Sequence, residues 1–152
     1  MTPQRDLVLA QVALDLYPGI AAGATYTNTL ASVSRDLLTP NKIVTQARLP
    51  AACLVDRGEE VVETSNVGHV MTLRVTVLLY LRMPPGAVAA TALGTWYADI
   101  LTAMIGTTTF THGGTCHFTH YKGLEVVDVE GQQLAGYAFD FELLYTRRVT
   151  AL

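Results

Sequence analysis

The clearest periodicity in the chain lies between His69 and Arg82. Met71, Leu73, Val75, Val77, Leu79 and Leu81 are apolar at every second position, whereas Thr72, Arg74, Thr76 and Arg82 fall on the opposite face with Leu78 and Tyr80. Such alternation marks a β-strand with one face in a core, because successive side chains point to opposite sides of the pleat. At roughly 3.3 Å per residue the strand spans on the order of 40 Å, so it is expected to reach past its own core. A second alternating run closes the chain: between Ala135 and Arg148, Tyr137, Phe139, Phe141, Leu143 and Tyr145 share one face, opposite Asp140 and Glu142.

Two segments have helical spacing instead. Leu9, Val12, Ala13 and Leu16 predict a helix over 3–17, with Thr2 as N-cap, Pro3 in the first turn and Tyr17-Pro18-Gly19 as the stop. Leu93, Trp96, Tyr97, Ile100, Leu101 and Met104 predict a second over 87–105, after Pro84-Pro85-Gly86 and capped by Gly106. Between and after them, Thr25 to Arg35 reads as a first strand and residues 43–48 as a helical turn or loop. The extended run from Ala51 to Val62 pairs with the long strand as an antiparallel hairpin across Asn66 and Gly68. Thr107 to Tyr121 reads as extended with a break at Gly113-Gly114, followed by a strand from Leu124 to Glu130 and a turn at Gly131-Gln132-Gln133. The pattern predicts an α+β fold: one mainly antiparallel sheet with two helices packed on one face, plus an extended hairpin, in a single domain over 1–152.

Composition sharpens this picture. Of 152 residues 50% are hydrophobic and only 15% charged, so much apolar surface must be hidden inside the fold or against partners. No run approaches the roughly 18 apolar residues of a spanning helix, which argues against a membrane role. The start lacks the pattern of a secretory signal, and Cys53 and Cys116 are too few for a disulfide framework, so a cytosolic site of synthesis and residence is expected. A net charge of −3 and a pI near 5.7 give no basic footprint for sequence-specific nucleic-acid binding.

Candidate chemistry is sparse. His112, Cys116, His117 and His120 are possible zinc ligands, but their spacing matches no common zinc pattern. On a strand Cys116 and His120 face one way and His117 the other, so half-exposed polar residues are the stronger reading and Cys116 and His120 remain the metal candidates. No G-x-S-x-G context surrounds Ser32, Ser34 or Ser65, and Gly19, Gly23, Gly113 and Gly114 open no phosphate-cradling helix. Asp140 and Glu142 could imitate a carboxylate pair, but a solvated side chain or a cross-strand pair with Arg74 is the simpler reading. Neither a catalytic residue nor a cofactor is expected. Glu59, Glu60 and Glu63 form an acidic patch on the hairpin, and Arg147 and Arg148 a basic one at the end of the last strand. Such charges are usually only solvated, but they also suit head-to-tail contacts between copies.

Tyr26-Thr27-Asn28 leads into Val33-Ser34-Arg35, Leu49-Pro50-Ala51 opens a strand that closes on Glu59-Glu60, and the run Leu73 to Arg82 precedes the helix around Trp96-Tyr97-Ala98-Asp99-Ile100. In this order and these lengths, most of the chain resembles the tail terminator and minor tail proteins of long-tailed bacteriophages. The resemblance implies a non-enzymatic virion protein, assembled in the host cytoplasm, that forms a ring, commonly of six subunits, on the tail tube. Its partners would be other copies of itself, the tail-tube protein and the head-completion (connector) protein. The Gly-Ala-rich link after the first helix and the His-rich segment Thr111 to Tyr121 depart from some relatives and leave open which ring of the tail is meant. On this reading Arg74, Thr76, Leu78 and Tyr80, with the hairpin from Glu59 to Asn66, are the expected contacts with neighbours. A second covered sheet face within the monomer is the alternative for the former group. Competing expectations are a metalloprotein using His112 to His120, or a ligand-binding module with an apolar pocket beside Trp96.

Overall fold

A computed structural model of the chain describes residues 3–35, 48–66, 68–83, 92–129 and 134–148. Its elements are α1 (Gln4–Leu16), β1 (Ser32–Ser34), β2 (Ala51–Ser65), β3 (Gly68–Arg82), α2 (Trp96–Ile105), β4 (Phe118–Val129) and β5 (Leu134–Arg148). The fold is α+β, with a five-stranded sheet in the order β1-β2-β3-β5-β4. β1 runs parallel to β2, and every other pair is antiparallel. The expected helical turn or loop at 43–48, the start of the second helix at 87–91 and the turn at 131–133 lie wholly or almost wholly outside the described residues. No described helix is long and apolar enough to cross a membrane.

Both helices pack on one face of the sheet. Val8, Leu9, Val12 and Leu16 of α1 and Trp96, Ile100, Ala103 and Met104 of α2 share a buried cluster with Met71, Leu73, Val75, Val77 and Leu79 of β3 and Tyr137, Phe139, Phe141, Leu143 and Tyr145 of β5. The two alternating faces read from the sequence are therefore the floor of the core, and removing this much apolar surface from water drives the fold. In β3 and β5 the match is residue for residue, from Gly68 opposite Arg148 to Arg82 opposite Leu134.

Three expectations are corrected. Only Ser32–Ser34 of the predicted first strand is extended into the sheet. The stretch before it is a loop because the backbone N–H groups of Thr27 and Asn28 donate to the Asp99 carboxylate of α2, at 3.1 and 2.8 Å, and not to a neighbouring strand. α2 begins at Trp96, since Gly94, at φ 44°, turns the chain and Trp96 N–H bonds Leu93 O at 2.9 Å. Residues 107–117, expected to be extended, form successive turns, with positive φ at His112 (46°), Gly113 (69°) and Gly114 (81°). Two adjacent glycines make that left-handed path accessible, and Thr115 Oγ1 closes it on His112 O at 2.7 Å.

Candidate functional site

The sheet carries an arm. β4 joins β5 only from Phe118, opposite Leu144, whereas β2, β3 and β5 continue beyond that row. Glu60, Thr72 and Leu144 lie abreast in one row of the extension, then Glu63, Val70 and Thr146, then Ser65, Gly68 and Arg148. Direct cross-strand partners share a face, so Glu60, Glu63 and Arg148 all lie on the face away from the helices. Register shifts between Asp56 and Glu59 and between Val61 and Glu63 interrupt the β2–β3 ladder as bulges do. Val61 and Val62 are 51% and 60% exposed there, unusual for apolar side chains on a strand that has a core to serve. At the arm's tip a Cβ on Gly68 would overlap the carbonyl of Arg147, so β3 and β5 meet there only because residue 68 is glycine.

The arm's two borders differ in charge. On the β2 side, Arg5 of α1 ion-pairs with Asp56 and lies 3.4 Å from Glu59, whose other contact is the Tyr145 hydroxyl, which donates to it. Burial first, and the facing Glu59 carboxylate next, push the Tyr145 hydroxyl well above the usual tyrosine range. Glu59 is thus engaged within the chain. Glu60 and Glu63 are exposed and form no ion pair with a described residue. On the β5 side Arg147 and Arg148 are likewise exposed and unpaired among the described residues.

The remaining expected contact residues separate. Arg74 is exposed opposite Glu142, which instead pairs with Lys122, at 4.0 Å. Thr76 is buried, donating to Asp140 at 2.6 Å and accepting from Arg57 Nε at 3.2 Å. Leu78 and Tyr80 are 9% and 5% exposed in a second apolar cluster with Cys53, Leu134 and Ala138, edged by Leu49, Val55 and Val127. The Tyr80 ring lies over Gly136, 3.3 Å from where a Cβ would stand. The face read from sequence as one contact surface is therefore a covered apolar end, a polar belt at Arg57, Arg74, Thr76, Asp140 and Glu142, and the charged arm.

The His-rich segment does not converge. His112 is fully buried with Nδ1 2.6 Å from Asp15 Oδ2, and its Nε2 has no hydrogen-bond partner among the described residues. Cys116 is buried in the main core beside Phe110 O and Thr119 Oγ1, and burial pushes its thiol up. His117 Nε2 meets Thr146 Oγ1 at 2.6 Å, and His120 is exposed against the Phe118 ring, 4.6 Å between centroids. Cys116 and His120 thus face different surroundings, because residue 116 precedes β4 and does not follow its alternation. Among the described residues no three His, Cys, Asp or Glu side chains are grouped to hold a metal ion. Two open clefts of about 430 and 410 Å³ are lined by Arg5, Leu9, Arg35, Leu54 and Asp56 and by residues around Phe110, Phe118 and Tyr121. Trp96 lines neither.

Sequence reasoning missed the polar ties that position these parts. Asp99, 3% exposed, accepts from Thr27, Asn28 N–H and Asn28 Nδ2, and Asp15 holds His112. A carboxylate in the apolar stripe of the second helix, three residues after Trp96 and one before Ile100, was the available signal.

No family model matches the chain, and no curated protein does. Among solved structures, a chain from the virion of a native gene transfer agent particle is similar over 91% of this chain and 91% of that one, at 13% identity and a TM-score of 0.49.

Proposed function

We propose that this chain is a structural subunit of a virion tail that closes into a ring, caps the tail tube, stops its growth and presents a joining surface to the head-completion protein. The observation that carries this reading is the arm: three strands that leave the core and end in one acidic and one basic border. A monomer gains nothing from projecting Val61 and Val62 beside Glu60, Glu63, Arg147 and Arg148, which form no ion pair among the described residues, whereas a ring uses two different borders on each subunit. The order of elements, which resembles that of tail terminators, supplies the expectation of six subunits and of the tube as partner. The action is passive: lateral closure satisfies the borders, and growth along the axis stops when the outer end of the ring does not complement another tube ring. Another ring-forming minor tail or adaptor protein would use the same arm.

The test is tube assembly. Tail-tube protein polymerised with this chain should give shorter tubes ending in a ring visible in electron micrographs. Tubes of unchanged length with no bound chain would refute the reading. Rings that bind tubes without shortening them would assign the chain to an adaptor.

A further inference from the structure

We infer that the seam between neighbouring copies is an edge-to-edge β pairing in which the acidic β2 border of one arm receives the basic β5 border of the next, in parallel orientation. This rests on the ring reading and specifies its contact. Three observations lead to it.

The first is open backbone. Among the described residues β2 has a second neighbour only at Ala51–Cys53, where β1 pairs with it, and from Leu54 to Ser65 its outer side faces no strand. β5 loses β4 after Leu144, so among the described residues Tyr145 to Arg148 have no strand on that side, where the His117 side chain reaches Thr146. An unpaired strand edge is a template for another chain.

The second is charge. Glu60 and Glu63 stand on one border of the arm, and Arg147 and Arg148 on the other, all exposed. Charged residues and bulges on an edge normally discourage promiscuous pairing, and here they also select the partner. A two-fold pairing of β2 with β2 would set Glu60 and Glu63 against their own copies, and β5 with β5 would oppose arginines. Only the head-to-tail combination brings opposite signs together.

The third is direction. β2 and β5 are each antiparallel to β3 and hence parallel to each other. Rotation about an axis running along the strands preserves direction, so a cyclic ring joins β5 to the next β2 in parallel. Arg148 is abreast of Ser65, two residues beyond Glu63, and a stagger of that size between copies aligns Arg148 with Glu63 on the same face. Strands that close around an axis must tilt and stagger in any case. The same contact covers the exposed Val61 and Val62.

The experiment uses two full-length variants. Glu60→Arg with Glu63→Arg makes both borders basic, and Arg147→Glu with Arg148→Glu makes both acidic. Each alone should need a concentration at least roughly tenfold higher than the wild type to form rings. An equimolar mixture should restore rings in which the two variants alternate, because each basic border then meets an acidic one. Thermal midpoints close to that of the wild type verify that both fold, and Glu60→Gln with Glu63→Gln provides a milder pair that weakens assembly in the same direction. If either reversed variant assembles as the wild type does, or the mixture assembles no better than its components, the seam lies elsewhere although the ring stands. A wild-type chain that forms no ring overturns the seam and the ring together.

Discussion

Replacing Asp99 by alanine removes the one carboxylate that ties the loop before β1 to α2. In the folded chain it accepts three hydrogen bonds, from Thr27 N–H at 3.1 Å, Asn28 N–H at 2.8 Å and Asn28 Nδ2 at 2.8 Å, and its side chain is buried. Hydrogen bonds to a charged acceptor contribute about 1.5–3 kcal/mol when the donors are left dry. Thr27 is exposed and Asn28 half-buried, so water takes over part of the deficit and a value of about 1 kcal/mol per bond is appropriate. The loss of about 3 kcal/mol is a large part of the stability of a domain of this size and corresponds to a fall in thermal midpoint of roughly 9 °C. Asp99→Asn keeps one acceptor oxygen and should cost about half as much. Asn28→Ala removes only the side-chain donor, which also reaches Thr95 Oγ1 at 2.8 Å, and the double mutant should show a coupling of about 1 kcal/mol. Thermal and urea unfolding measure all of these. An Asp99→Ala protein melting within about 2 °C of the wild type would refute the assignment of the loop's order to this carboxylate.

Tyr80→Asp should cost about 3 kcal/mol of folding stability, because Tyr80 is enclosed over Gly136, whereas Arg74→Asp on the same face should cost less than about 0.5 kcal/mol; urea titration of both checks the division of that face. Burial raises the hydroxyls of Tyr26, Tyr80, Tyr137 and Tyr145, and burial followed by the hydrogen bond and charge of Tyr97 pushes Tyr121 up to about 12. The folded chain therefore holds protons that the unfolded chain releases near pH 10, so stability is intact below about pH 10 and declines as pH rises toward 12 and beyond. Tyrosinate absorbance from these five should rise together with unfolding, and their ionisation near pH 10 in an intact fold would contradict this. Cys53 and Cys116, both buried, should resist thiol reagents until the chain unfolds, and added zinc should leave the thermal midpoint unchanged, since Cys116 and His120 do not share a site.

The elements legible in the sequence were those whose pattern is set by one simple boundary between core and solvent. On the face toward the helices β3 and β5 meet that condition, and Met71 to Leu79 and Tyr137 to Tyr145 fall where alternation puts them. The segments that were misread owe their shape to distant polar partners. Thr25 to Ala31 is rich in β-favouring residues, yet the N–H groups of Thr27 and Asn28 are taken by Asp99, about seventy residues away in sequence, and that of Leu30 by Ile20 O. Thr107 to His117 is turned by Gly113 and Gly114 and held along α1 through Gln4 to Thr115 O at 2.5 Å and Asp15 to His112. Alternation also could not say that the second face of β3 changes character along its length. Leu78 and Tyr80 are covered where β2 and β5 flank them with Cys53, Ala138 and Gly136, whereas Arg74, beyond Thr76 on the same face and nearer the arm, is exposed. The acidic and basic patches were visible as charges. Their position on opposite borders of one arm depends on the strand order, which periodicity does not contain.

A closed ring requires the arm to be half of a contact between copies. The most direct measurement is the mass of the purified wild-type chain in solution across a range of concentrations, taken with averaged electron micrographs of the same sample. The expected result is a single closed species of fixed copy number, with rotational symmetry and a central opening, that dissociates as salt rises because the seam is charged. A chain that remains a monomer at every concentration, or that stops at a two-fold dimer, would contradict it.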